Sequence, residues 1–104
     1  MIQINGEIWR VRIVPPYHPI LYRRGNPALG CCDDITKCIY ISNILSQSEM
    51  RSVLCHELTH AVMFSYNVAM SDEVEEVVAE TVATFGNEIM TLTHMTYDKM
   101  LGYK

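Results

Sequence analysis

The sequence predicts an α+β fold in which a small antiparallel sheet packs on two main helices. Residues 1–42 are predicted to be mainly strands, because branched side chains alternate with polar ones in residues 1–14 and a further strand is predicted at 37–42. Residues 46–67 and 71–90 instead place apolar side chains at helical spacing behind clear capping signals. Residues 91–104 have a mixed period and are predicted as a helix extension or a loop. We expect one domain, residues 1–104, because a chain of 104 residues supports one modest core.

Two hairpins are predicted in the N-terminal part of the chain. Residues 2–4 and 8–14 flank Asn5-Gly6, a dipeptide that favours a two-residue hairpin turn. Residues 28–32 and 37–42 form the second pair, joined by aspartates that are typical of turns. The later strand of this pair leads directly toward the first helix. If it lies at a sheet edge, it can pair with an extended peptide through main-chain hydrogen bonds.

The first helix has well-marked ends. Ser46 and Glu49 have the spacing of a capping box, in which each side chain accepts a hydrogen bond from the other residue's backbone. Asn67 suits the left-handed conformation that often follows the end of a helix. The sequence therefore predicts a helix that holds His56 rigidly in its third turn.

Residues 56–60 read His-Glu-Leu-Thr-His. His56 and His60 lie four positions apart, so their imidazoles project from one face of the helix about one turn apart. Two imidazoles at this spacing suit a zinc ion. Glu57 points about 100° further around the helix and can reach a water molecule beside that ion. The pattern therefore predicts a Zn²⁺ site with His56 and His60 as ligands and Glu57 as general base.

An alternative is that these polar residues form a solvated stripe on an amphipathic helix. The flanking side chains argue against it, because they are apolar nearly all the way around the helix. Leaving polar groups unsatisfied in such surroundings would cost roughly 2 kcal/mol or more for each group. A bound metal removes that cost, and we therefore favour the metal site. The apolar neighbours are Val53, Leu54, Leu58, Ala61, Val62, Met63 and Phe64.

A catalytic zinc site of this kind needs a third protein ligand, and no histidine lies between His60 and His94. The second helix offers three carboxylates on one face, at positions i, i+3 and i+7: Glu73, Glu76 and Glu80. We assign Glu76 as the third ligand. Glu80, one turn later, is assigned as an acceptor that orients a liganding histidine. Glu73 and Glu80 remain the alternative ligands.

The rest of the second helix has ordinary explanations. Acidic residues in its first turn, Asp72, Glu73 and Glu75, are favoured by the helix dipole whether or not a metal is present. Ser71 or Asp72 is the expected N-cap. An apolar stripe is expected to face the core, formed by Val74, Val77, Val78, Thr81, Val82 and Phe85.

The two helical motifs together resemble the ImmA/IrrE-type zinc metallopeptidases, especially their short phage-associated members. That family has H-E-x-x-H followed by E-x-x-A-x-x-F-A. Glu76, Ala79 and Ala83 match the second motif, whereas Val82 stands in place of its phenylalanine. The resemblance covers roughly residues 37–90. It implies a zincin-type, gluzincin-like site in which Glu76 joins the two histidines as a zinc ligand and the glutamate between them is the catalytic base.

Charge and composition exclude several classes of function. The net charge is −4, from 8 basic and 12 acidic residues, and no basic run is present, so we expect no nucleic-acid or membrane partner. The sequence has no secretory-signal pattern and no apolar run near 18 residues, and we expect a cytoplasmic protein. In that compartment cysteines are reduced thiols. We therefore expect reduced thiols at the four cysteines of this chain, which are Cys31, Cys32, Cys38 and Cys55.

These observations predict a zinc-dependent metallopeptidase that hydrolyses a protein or peptide substrate. The resemblance suggests a repressor or other regulatory protein, as for a phage or mobile element. The alternatives are a zinc-stabilised interaction module without catalysis, and a polar cluster that holds no metal. The sequence does not choose the group that stabilises the oxyanion, nor the oligomeric state. Eligible donors are His18, Tyr40, Tyr66, His94 and Tyr97.

Overall fold

The structure is a computed structural model that describes residues 1–102. Six strands precede two helices along the chain, and a short 3₁₀ helix, Pro19–Leu21, lies between the second and third strands. The elements are β1 (Ile2–Ile4), β2 (Glu7–Val14), β3 (Tyr22–Arg23), β4 (Asn26–Pro27), β5 (Gly30–Asp33), β6 (Cys38–Ser42), α1 (Gln47–Ser65) and α2 (Asp72–Met100).

Four strands form one sheet in the order β1-β2-β6-β5, and β3 pairs with β4 in a separate small hairpin. Both predicted hairpins are present as antiparallel pairs, β1 with β2 and β5 with β6. The predicted α+β class is confirmed. The sheet is mixed rather than antiparallel throughout, because β2 and β6 run parallel. The chain between them returns to the end of the sheet at which β2 began, which a parallel pair requires.

The first hairpin has the turn that its sequence predicts. Asn5 has φ +49° and Gly6 has φ +79°, so both central residues adopt the left-handed conformation of a two-residue turn. The hairpin is tied to the end of α1. The Asn5 side-chain amide donates to the Ser65 carbonyl at 2.9 Å, and the Trp9 indole N–H donates to Ser65 Oγ at 3.1 Å. Helix α1 is thereby held across the sheet.

A compact apolar cluster joins the sheet to α1. Its buried members come from three strands and the helix, and they are Ile4, Trp9, Ile39, Ile41 and Ala61. Burying each of the larger side chains stabilises the fold by about 1.5–3 kcal/mol relative to leaving it exposed to water. The cluster therefore holds α1 rigidly against the sheet, which is what a set of metal ligands on that helix requires.

The predicted ends of α1 are confirmed. Glu49 N–H donates to Ser46 Oγ at 3.3 Å, and Ser46 N–H donates to the Glu49 carboxylate at 2.9 Å, which completes the capping box. Asn67 has φ +55°, the left-handed conformation expected after the helix. Ser71 is the N-cap of α2, because its Oγ accepts a hydrogen bond from Val74 N–H at 3.3 Å.

The predicted inward stripe of α2 is wrong for every member except Val78, which is partly buried. Val74, Val77 and Phe85 are all more than half exposed, whereas Ala79 is fully buried. Helix α2 packs mainly on α1. Its first turns direct Glu75 and Glu76 toward α1, so the valines about 100° further around the helix face solvent.

Helix α2 is also one continuous helix of 29 residues that ends at Met100. The segment 91–100 is therefore the helix extension rather than the loop. Residues 87–102 are all exposed. Within residues 1–102 neither helix combines the length and the apolar composition needed to cross a membrane.

Candidate metal centre

Helices α1 and α2 bring two imidazoles and a carboxylate together. His60 Nε2 lies 2.7 Å from Glu76 Oε1, and His56 Nε2 lies 3.3 Å from Glu76 Oε2. The two imidazole rings are 5.0 Å apart between centroids. One ligand atom from each of the three residues lies within 4.8 Å of the other two. The structure thus places together the three residues that the sequence predicted as metal ligands.

The donor set and its spacing fit a divalent metal ion. Zinc binds imidazole nitrogen and carboxylate oxygen at about 2.0–2.2 Å, so tetrahedral donors are about 3.3 Å apart. The 3.3 Å separation of His56 Nε2 from Glu76 Oε2 equals that value, and the 2.7 Å separation of His60 Nε2 from Glu76 Oε1 is shorter. Three protein donors also leave room for a further ligand, as catalytic sites require. The cluster is therefore compatible with a metal site.

The other two predicted carboxylates are placed differently. Glu80 Oε1 lies 3.8 Å from His56 Nδ1, which is beyond hydrogen-bonding distance, and its side chain is 69% exposed. Glu73 is exposed, and it is not among the residues that line the surrounding cleft in the described part of the chain. Among the three, only Glu76 approaches both histidines within 3.3 Å.

Glu75 is a residue whose place in the site the sequence did not reveal. His60 Nδ1 donates a hydrogen bond to Glu75 Oε1 at 2.9 Å, since a carboxylate can only accept. In a neutral imidazole this bond places the proton on Nδ1 and leaves the Nε2 lone pair directed toward Glu76. The signal was present in the sequence: two adjacent carboxylates follow two histidines that are one helical turn apart.

Glu57 is buried beside the three clustered residues, with only 8% of its surface exposed. Burial raises the pKa of its carboxyl group, and attraction to His56 and His60 opposes that rise in part. A carboxylate with a raised pKa accepts a proton more readily near neutral pH. The structure thus places the Glu57 carboxyl group in the same cleft as the three clustered residues and largely withdrawn from water.

An open cleft of about 1150 Å³ surrounds the cluster. Strand β5 forms one wall and is one of the two edge strands of the sheet, whereas β6 lies between β2 and β5. The strand at 37–42 is therefore not the edge, and the edge beside the site is β5. Edge position depends on strand order, which hydrophobic patterning within one strand does not specify.

None of the predicted oxyanion donors lines this cleft over residues 1–102. His18 instead stacks with Tyr40 at 6.2 Å between ring centroids, and His94 lies on the exposed half of α2. Arg23 of β3 does line the cleft. Its guanidinium donates to Cys31 Sγ at 3.2 Å. It is the only arginine or lysine among the cleft residues of the described chain.

All four cysteines are free. Burial raises the pKa of Cys32 to about 12 and also raises that of Cys31, so both remain thiols near neutral pH. A thiol that stays protonated is a poor metal ligand. Among the described residues, the group whose ligand atoms lie close enough to share an ion is His56, His60 and Glu76, and it contains no cysteine.

Helix α1 carries two imidazoles and a buried glutamate, and it faces a carboxylate from α2 beside a small sheet. This arrangement is typical of a metallopeptidase. The chain matches the family model described as IrrE N-terminal-like domain (Peptidase_M78) over residues 16–103. It belongs to this family, as the resemblance of its two helical motifs implied. No curated protein and no solved structure gives a significant match. Family membership supports a metallopeptidase-type activity and, in general terms, a protein substrate.

Proposed function

We propose that this protein is a zinc-dependent metallopeptidase in which His56, His60 and Glu76 hold the ion and Glu57 is the general base. The observation that carries the proposal is the convergence of both Nε2 atoms on the Glu76 carboxylate, at 3.3 and 2.7 Å. The buried Glu57 carboxyl group beside them supports it. We take residues 1–104 as one domain with this activity.

A zinc ion bound there would polarise the scissile carbonyl group and make a water molecule acidic enough to attack it near neutral pH. Glu57 would accept the proton released by that water and deliver it to the leaving amine. Glu75 would keep His60 in the tautomer and orientation that leave Nε2 available. Arg23, on the cleft wall, is the donor we propose for a carbonyl oxygen of the substrate.

The free edge of β5 supports binding of an extended peptide. Ser42 N–H donates to the Leu29 carbonyl at 2.9 Å, so the backbone of Leu29 faces β6. In an antiparallel pair this direction alternates along the strand, so the backbone groups of Gly30 and Cys32 face the open edge. Both residues also line the cleft. A peptide that pairs there is held by main-chain hydrogen bonds, which place little demand on its sequence.

A repressor or other regulatory protein remains the substrate that the family resemblance suggests. The alternative function is a zinc-stabilised interaction module that binds a partner along the β5 edge and does not cleave it. That alternative uses the edge strand but has no use for a buried glutamate beside the metal ligands, because a structural zinc site normally closes its fourth position.

Removal of the metal tests the proposed function directly. We expect a chelator to abolish cleavage of an unfolded protein substrate, and added Zn²⁺ to restore it. Mg²⁺ should not restore cleavage, because it prefers six oxygen ligands and this site offers two imidazole nitrogens. The measurement is the rate of substrate cleavage, together with the zinc content of each sample. Cleavage at the full rate by a zinc-free sample would contradict the proposal.

Substitution of Glu75 tests whether it orients His60. We expect Glu75→Ala to weaken zinc binding by about 10–100-fold, the usual effect of removing a hydrogen-bond partner of a ligating histidine. Glu80→Ala is the matched control, because Glu80 lies 3.8 Å from His56 Nδ1 and is mostly exposed. Its effect should be smaller. Competition with a chromophoric chelator measures both affinities, and a larger loss in Glu80→Ala than in Glu75→Ala would reverse the two assignments.

A further inference from the structure

Gly30 lies at the start of β5, directly opposite Glu57 on α1. A Cβ atom at position 30 would lie 2.7 Å from Val53 Cγ1, 3.1 Å from Glu57 Cγ and 3.2 Å from Glu57 Oε2. Favourable carbon–carbon contacts occur at about 3.5–4.0 Å. The strand and the helix therefore approach so closely at this point that no side chain fits between them.

The backbone conformation does not account for a glycine at this position. The glycines with positive φ are Gly6, Gly25 and Gly102, and Gly30 is not among them. Gly30 is an ordinary strand residue in register with Ile41 of β6. An alanine would fit the backbone here, so the missing side chain is required by the space and not by the conformation.

We propose that Gly30 is a positioning residue for Glu57, because the absence of a side chain at position 30 leaves the space in which the Glu57 carboxylate stands. The inference rests on the proposed function, in which that carboxylate moves protons. Val53 is β-branched and has one strongly preferred rotamer on a helix, so it cannot easily turn away from an added methyl group. A methyl group at position 30 therefore shifts β5 or α1 locally, and it also takes space from Glu57, whose Cγ and Oε2 lie within 3.2 Å of the added atom.

The expected functional consequence is a loss of catalysis rather than of zinc binding. The three atoms nearest to an added Cβ belong to Val53 and Glu57, and none belongs to His56, His60 or Glu76. Displacing a catalytic group by about 1 Å can cost about 100-fold in rate. If the methyl group instead displaced β5, substrate binding at its edge would weaken and KM would rise. A fall in kcat without a rise in KM thus distinguishes positioning of Glu57 from a general disturbance of the strand.

The experiment compares Gly30→Ala with Gly86→Ala, a control on α2 whose added Cβ would meet only an ordinary contact of 3.4 Å with Val82 Cγ1. We expect Gly30→Ala to lower kcat by about 10–100-fold, with KM and the zinc dissociation constant changed less than about threefold. Gly86→Ala should keep the wild-type kcat. The inference would be overturned if Glu57→Gln inactivated the enzyme while Gly30→Ala kept kcat within about threefold of wild type.

If Gly30→Ala does not fold, the same substitution is made in a Val53→Ala protein, where the closest contact is gone and the two contacts with Glu57 remain. A kcat for the double variant clearly below that of Val53→Ala supports the inference. Equal kcat values for the two proteins overturn it.

A further measurement separates failure of this inference from failure of the proposed function. Thermal unfolding of Gly30→Ala is compared in the wild-type and Glu57→Ala backgrounds, because truncation of Glu57 removes two of the three close contacts. We expect Gly30→Ala to lower the unfolding temperature less in the Glu57→Ala background. An equal drop in unfolding temperature in both backgrounds would overturn the inference. This test does not depend on activity. A wild-type protein that cleaved no peptide would contradict only the proposed function.

Discussion

Glu57→Gln should lower kcat for peptide hydrolysis by about 10²–10⁴-fold while the protein still binds one zinc ion, because a glutamine amide cannot accept the proton that a general base removes. The substitution nearly preserves the shape of a side chain that is 8% exposed, so the fold should be retained. Steady-state kinetics and metal analysis of the same samples check both parts of the expectation.

Glu73→Gln is the matched control for this experiment. It makes the same chemical change at an exposed carboxylate that is not among the cleft residues of the described chain, so its kcat should equal that of wild type. A Glu57→Gln protein that cleaved at the wild-type rate would eliminate Glu57 as the base. If wild type and Glu57→Gln bound zinc and a partner equally and neither cleaved it, the interaction module would be the better description.

His60→Ala should reduce zinc affinity by more than about 100-fold, which exceeds the loss expected from removing an outer hydrogen-bond partner. His60 Nε2 is the nitrogen nearest to the Glu76 carboxylate, and its other ring nitrogen is held by Glu75. The variant should also lose the stabilisation that bound zinc supplies. That stabilisation is about 2.7 kcal/mol when free zinc is at 100 times its dissociation constant.

His94→Ala controls for loss of an imidazole elsewhere, because His94 is exposed on α2 and is not among the cleft residues of the described chain. It should keep both the zinc content and the zinc-dependent rise in unfolding temperature. Calorimetry with and without zinc measures the second quantity. Full zinc stoichiometry in His60→Ala would show that the ion is held by other residues.

Several features were predictable because their signals lie within a few residues of one another. The Asn5-Gly6 turn and the capping box of Ser46 and Glu49 follow from local backbone chemistry, and both are present. The spacing of His56 and His60 places them on one face of any α-helix, whatever surrounds that helix. The pair of motifs on the two helices was also enough to indicate the family.

Other features depended on how distant segments pack. The rotation of α2 about its axis decided that Glu75 meets His60 while Val74 and Val77 face solvent, and an amphipathic pattern alone predicted the opposite for the valines. Strand order decided that β5 rather than β6 is the edge beside the cleft. Strand order and helix rotation result from contacts between residues far apart in the chain, which local spacing does not encode.

The amino-acid sequence by itself therefore determined the helix that carries the two histidines, the class of chemistry they suit, and a short set of carboxylates that could join them. The tertiary structure alone decided that Glu76 faces both imidazoles, that Glu75 contacts one of them, and that β5 approaches α1 closely at Gly30. The physical reason is that a helix sets the direction of its own side chains to within one turn. Only packing of one element against another sets the distances between them.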